Sequence, residues 1–180
     1  MPIAHLEDLL ADIKRINPHV RETLGLAQSE ILESLSEFDH LRTQELVSLY
    51  EWRNGIDELN AFTRFLSLGD ALGMYRMYRH LAEGLGSRFG WQEQWFPIVD
   101  TNGNVQLCFD CKTLGLALVD MEGGVEELIC DSYLDYVAAL RDGFSRGLFS
   151  WNELHGYVET KDHEWQLVLG AYGIKDPYAR

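Results

Sequence analysis

The sequence predicts an α+β fold around a largely antiparallel sheet, and three observations carry that prediction. Helical periodicity dominates up to residue 86, short alternating segments bounded by turn residues fill residues 95–130, and helical spacing returns afterwards. No β-α-β alternation suggests a doubly wound sheet, and no repeat, low-complexity segment or linker divides the chain. The 180 residues are therefore read as one domain, with 150–180 as a helical extension less clearly accounted for.

Taken in order, Leu6, Leu9, Leu10, Ile13 and Ile16 recur at helical spacing, and Asn17-Pro18 ends that helix. A second helix is expected over 29–38, with Ile31, Leu35 and Phe38 on one face. A third follows Thr43 and carries Leu46, Leu49 and Tyr50; Asn54-Gly55 is expected to end it, Gly taking the left-handed position after the last turn. Ser67 with Asp70 has capping-box spacing and opens a helix bearing Leu68, Leu72, Tyr75 and Leu81, which Gly84 and Gly86 break.

Residues 95–99 read as a strand in which Pro97 indicates an edge or a strand start. Residues 101–104 form a hairpin turn. Val105, Leu107 and Phe109 then alternate with Gln106, Cys108 and Asp110, the pattern of a half-buried strand. Two more strands are expected at 116–120 and 125–130, joined at Gly123-Gly124. Ser132 with Asp135 again has capping-box spacing ahead of Tyr133, Tyr136, Val137 and Leu140. In the tail, Trp165, Val168, Leu169 and Tyr172 have helical spacing.

Composition bounds the function. Apolar residues make up 46% and aromatics 12%, enough for a core that needs no metal or disulfide. Cys108, Cys111 and Cys130 are too few, and odd in number, for a secreted disulfide framework. Residues 1–15 lack the basic start of a signal peptide, and no run of about 18 apolar residues would cross a membrane, so a cytoplasmic location is expected. Against 15 basic residues stand 29 acidic ones, a net charge of −14. That balance argues against direct nucleic-acid binding, where Lys and Arg must neutralise phosphates. It either keeps the protein in solution or steers a basic partner into contact.

Several short patterns resemble chemical motifs without their full requirements. Gly143-Phe144-Ser145-Arg146-Gly147 has the G-x-S-x-G form of a hydrolase elbow, with Asp162 and His163 following, but its surroundings are helical where a strand-to-helix turn is required. Cys108-Phe109-Asp110-Cys111 is a C-x-x-C without a second metal-binding pair, placed at the end of a strand, so buried reduced thiols account for it. Asp100, Asn102 and Asn104 alternate like calcium ligands, yet Val105 and Cys111 stand where that loop needs Gly and Glu. Gly84, Gly86 and Gly90 lack the strand and the spacing of a dinucleotide loop. The six histidines form no metal motif, and no cofactor is expected. Tyr75 and Tyr78 beside Arg76, Arg79 and His80 are assigned to helix packing.

Taken together, a helix running through Leu46-Val47-Ser48-Leu49-Tyr50-Glu51-Trp52-Arg53-Asn54-Gly55, the Trp95-Phe96-Pro97-Ile98 strand, Asp100 and Gly103 at a turn, the strand ending Leu107-Cys108-Phe109-Asp110, and the helix start at Ser132, Tyr133, Tyr136 and Val137 define an ordered set. In that order and spacing, over residues 25–147, the chain resembles the SUKH superfamily: Smi-one/Knr-four-like regulators of fungal cell-wall assembly and bacterial immunity proteins. It departs from the family at Leu41-Arg42, where Leu-Pro is usual, and after Gly103, where an acidic residue is common. The resemblance implies a non-enzymatic binding module, in bacteria one that neutralises a toxin, often a nuclease, by stoichiometric binding. A regulatory or scaffolding protein without a toxin partner is the alternative, and a small serine hydrolase the remote one. Within this reading Trp95 and Ile98 belong to the core, and Gly55 and Gly103 to turns. Candidate contacts to a basic toxin domain are acidic groups expected on loops, namely Asp57, Glu58, Asp100, Asp120 and Glu122, with Trp91 as a candidate aromatic anchor.

Overall fold

A computed structural model describes residues 2–60, 63–86, 89–101, 103–122 and 125–176. Within them the chain runs α1 (Pro2–Ile16), β1 (Arg21–Leu24), α2 (Gln28–Ser34), a 3-10 turn (Asp39–Leu41), α3 (Gln44–Trp52), β2 (Arg53–Asn60), β3 (Thr63–Phe65) and α4 (Leu68–Leu85). It continues through β4 (Trp95–Asp100), β5 (Val105–Asp110), β6 (Leu116–Asp120), β7 (Val125–Cys130), α5 (Tyr133–Ser145), β8 (Phe149–Asn152), β9 (Tyr157–Thr160) and α6 (Asp162–Ala171). Strands β1 to β7 form one antiparallel sheet in which spatial order equals chain order, and β8–β9 form a separate hairpin. The fold is α+β with a large antiparallel sheet, as the sequence predicts.

The four strands expected over 95–130 are present, and three more precede them. β1 reads Arg-Glu-Thr-Leu, exposed throughout, and β2 reads Arg-Asn-Gly-Ile-Asp-Glu-Leu-Asn. Neither alternates cleanly, because each is held by backbone pairing at the side of the sheet and by ion pairs. Glu22 accepts from Lys14 of α1 and from Arg53 of β2. Gly25 follows β1 because the chain passes against α3 there: a Cβ would fall 1.8 Å from the carbonyl oxygen of Glu51. Gly55 does not end α3, which stops at Trp52; it lies inside β2 with φ 108°, a backbone angle suited to glycine within an irregular strand.

Pro97 is not on an edge strand, since β4 is flanked by β3 and β5. It is tolerated because β3 pairs only with Val99 and Asp100, and because the register between β4 and β5 shifts between Pro97 and Val99. The helix expected over 29–38 ends at Ser34 and continues as turns that still bury Leu35 and Phe38. Thr43 and Ser67 cap α3 and α4 by accepting from Leu46 N and Asp70 N, whereas the Ser132 side chain makes no such bond at α5. Gly84 lies within α4, which terminates at Gly86 with φ 59°. The Gly123-Gly124 junction and Asn102 lie outside the described residues. The first part of the helical extension expected over 150–180 belongs instead to the β8–β9 hairpin, and α6 supplies the helix that Trp165, Val168 and Leu169 predict.

Both faces of the sheet are covered. In β5, Leu107 and Phe109 face α5, Phe109 meeting Tyr133 at a ring separation of 5.4 Å. Gln106 and Cys108 face α4 and are 0% exposed, whereas Val105 and Leu107 are half-buried, so the side of β5 that alternation assigns to solvent is fully buried. Tyr78 of α4 donates its hydroxyl to Gln106 Oε1, and Gln106 Nε2 donates to Asp100 Oδ1 at 3.1 Å. Such a chain satisfies polar groups that would otherwise be costly to bury.

Candidate functional site

Between the sheet and the layer formed by α1, α5 and the β8–β9 hairpin lies a cavity of about 370 Å³. Its walls follow from helical spacing. Leu6, Leu9, Leu10 and Ile13 share one face of α1, and Tyr136, Val137, Leu140 and Phe144 share one face of α5. Ile56, Leu59, Ile98 and Leu107 contribute the sheet side, and Phe149 and Val158 the hairpin. The space is half-open, a recess between the two layers and not an enclosed packing void.

The polar lining gathers at one end. Asn60 pairs with Thr63 across β2 and β3, and the pairing of Arg64 with Asp100 brings Thr101 beside Thr63. Asn60 Oδ1 accepts from Val158 N at 2.6 Å, which ties the hairpin to the sheet and carries Thr160 to the same end. No charged side chain lines the cavity among the described residues. Trp52 does line it, and its Nε1–H is shut off from solvent without a hydrogen-bond partner. An indole N–H can only donate, so it stays unsatisfied there, and a water-sized group in the cavity does not reach it. Burial pushes the Tyr136 phenol, another lining group, up to about 12.

The sequence-derived contact residues fall into different surroundings. Asp57 and Glu58 are exposed but lie within β2 and not on a loop; Glu58 pairs with Arg21 at 3.2 Å and has φ 59°. Asp100 and Asp120 are strand ends, each only 6% exposed. Asp100 Oδ1 accepts from Gly103 N at 2.8 Å and Asp120 Oδ1 from Glu122 N at 2.9 Å, so both carboxylates hold the turns that follow them. Asp110 does the same for the next turn, accepting from Lys112 N and Thr113 N while its other oxygen takes the Trp95 indole N–H. Glu122 is exposed and accepts from Asn104 Nδ2 at 2.6 Å, which sets the β4–β5 and β6–β7 turns side by side. Trp91 is buried against Tyr75 and Tyr78, away from any accessible anchor position.

Ser145 is the last residue of α5 and donates to Asp142 O at 2.8 Å, so the strand-to-helix elbow of a hydrolase is not formed there. Cys108, Cys111 and Cys130 are free buried thiols, and burial pushes the Cys111 thiol up to about 12, far from a reactive thiolate. Among the described residues no group of three or more His, Cys, Asp or Glu is placed to hold a metal. Tyr75 and Tyr78 are buried, and Arg76 and Arg79 lie over the Phe38 ring, as a packing role requires. The cavity was missed by sequence reasoning because its walls come from segments scattered between Leu6 and Thr160, each of which reads as ordinary core. No protein-family model matches the chain, and no curated protein matches it.

Proposed function

We propose that this chain is a non-enzymatic binding protein of the SUKH type, which neutralises a basic toxin domain, of nuclease type, by stoichiometric binding in the cytoplasm. One observation carries the reading: ten of the 15 basic residues are engaged by the protein's own acids while an excess of acid remains outward. Lys14, Arg15, Arg21, Arg42, Arg53, Arg64, Arg76, Arg141, Arg146 and Lys175 all sit in ion pairs with Asp or Glu. The net charge of −14 is therefore presented by acids such as Asp57 and Glu122, both exposed. A surface of that sign raises the encounter rate with a basic cleft and weakens with salt. Because Asp100, Asp120 and Trp91 serve the fold, the contact surface in this reading centres on Asp57, Glu58 and Glu122.

The test is an affinity capture of the tagged protein from its own cells at low and moderate salt. Recovery of a near one-to-one basic partner that kills cells when made alone supports the proposal. Reproducible recovery of harmless partners only would overturn it in favour of a regulatory scaffold.

A further inference from the structure

We propose that the cavity under α1 and α5 binds a neutral, single-chain aliphatic molecule of about eleven non-hydrogen atoms carrying one acceptor oxygen. This inference goes beyond the partner-binding reading and does not depend on it. Size comes first: about 370 Å³ holds roughly twelve methylene-sized groups at ~30 Å³ each. That volume lies within the range of small-molecule sites, about 300–1,000 Å³, and well above the ~150 Å³ apolar cavity that already takes up benzene.

Chemistry of the walls sets the rest. Leucine, isoleucine and aromatic side chains make up most of the lining, which favours an aliphatic body. Asn60, Thr63, Thr101 and Thr160 give a polar end without charge. A carboxylate or phosphate would enter with no cation to meet it, inside a protein of net charge −14. An alcohol, ketone or ester oxygen meets these conditions, and an acid anion does not.

1-Decanol has the required size and acceptor, and decanoate at pH 8 is its charged counterpart. The full chain is expected to bind 1-decanol saturably in calorimetric titration, with a rise in thermal midpoint, and to bind decanoate at least ~10-fold more weakly. Val158→Trp and Leu140→Trp place a large side chain in the space and should abolish binding in whichever variant still unfolds cooperatively. Absence of saturable 1-decanol binding to the unaltered chain overturns the proposal, with no variant needed. Equal affinity for decanoate overturns the neutral-ligand assignment.

Discussion

Gln106 and Leu107 are neighbours in β5, yet they project into opposite layers built on different terms. Below Gln106, α4 closes the sheet tightly: Tyr78, Gln106 and Asp100 form a buried hydrogen-bonded chain, and Arg64 reaches the other Asp100 oxygen at 3.5 Å. Above Leu107, α1 and α5 stand off from the sheet around about 370 Å³. Hydrogen bonds are directional and fail steeply with distance, so a layer that carries them must sit at one separation. Apolar contacts are individually small and non-directional, so the other layer can hold together from its rim with space at its centre.

That contrast sets the order of expected effects. Tyr78→Ala removes a fully buried ring and leaves Gln106 without its donor, and is expected to destabilise by about 4 kcal/mol in urea titration. A loss under ~1 kcal/mol would mean that the α4 layer is as loosely held as the other. Alkaline pH probes both layers together, through Cys111 and the cavity-lining Tyr136, each pushed up to about 12 by burial. Both are neutral in the fold and ionise more readily once unfolded. Their stabilisation is therefore complete below the ordinary thiol range and lost as pH rises toward 12. The expected decline is up to about 1.4 kcal/mol per group for each pH unit above the group's ordinary value. A urea midpoint independent of pH from 8 to 11 would contradict it.

Gln106→Leu is expected to cost about 2 kcal/mol, since Tyr78 and Asp100 each lose a bond in a closed layer. Smallest should be Leu140→Ala, at about 1–2 kcal/mol against the 2–5 typical of buried leucine, because its side chain already borders open space. If Leu140→Ala proved as damaging as Tyr78→Ala, the two layers would be energetically alike and the contrast would fail.

The tight layer was partly legible in the sequence and the open one was not. The Asp residues closing β4, β5 and β6 mark turns in any reading, and the alternation in β5 locates a strand between them. Alternation says nothing about what covers the polar side, so Gln106 read as solvent-facing when it is buried. β1 and β2 escaped because Arg21, Glu22, Arg53 and Asn54 hold their places by ion pairs and backbone register, which leave no apolar period to detect. The hairpin at 149–160 is short and half-exposed, anchored by Phe149 against Phe144 and Trp165, contacts no local pattern announces. Of the candidate contact residues, Asp100 and Asp120 show the ambiguity most clearly: an aspartate after a strand reads equally as an acidic loop or as the group that holds a turn, and here it is the latter.

The sheet's spatial order repeats its chain order, so each strand can join the edge left by the one before it, with α2 and α3 inserted between β1 and β2 and α4 between β3 and β4. During synthesis the sheet can thus lengthen almost in step with the ribosome, through contacts of short sequence separation. α1 is the exception. Its principal helical neighbour is α5, made more than a hundred residues later. Until then α3 alone among the helices covers part of its apolar face, so Leu6, Leu9 and Leu10 gain their full cover only once α5 has been made.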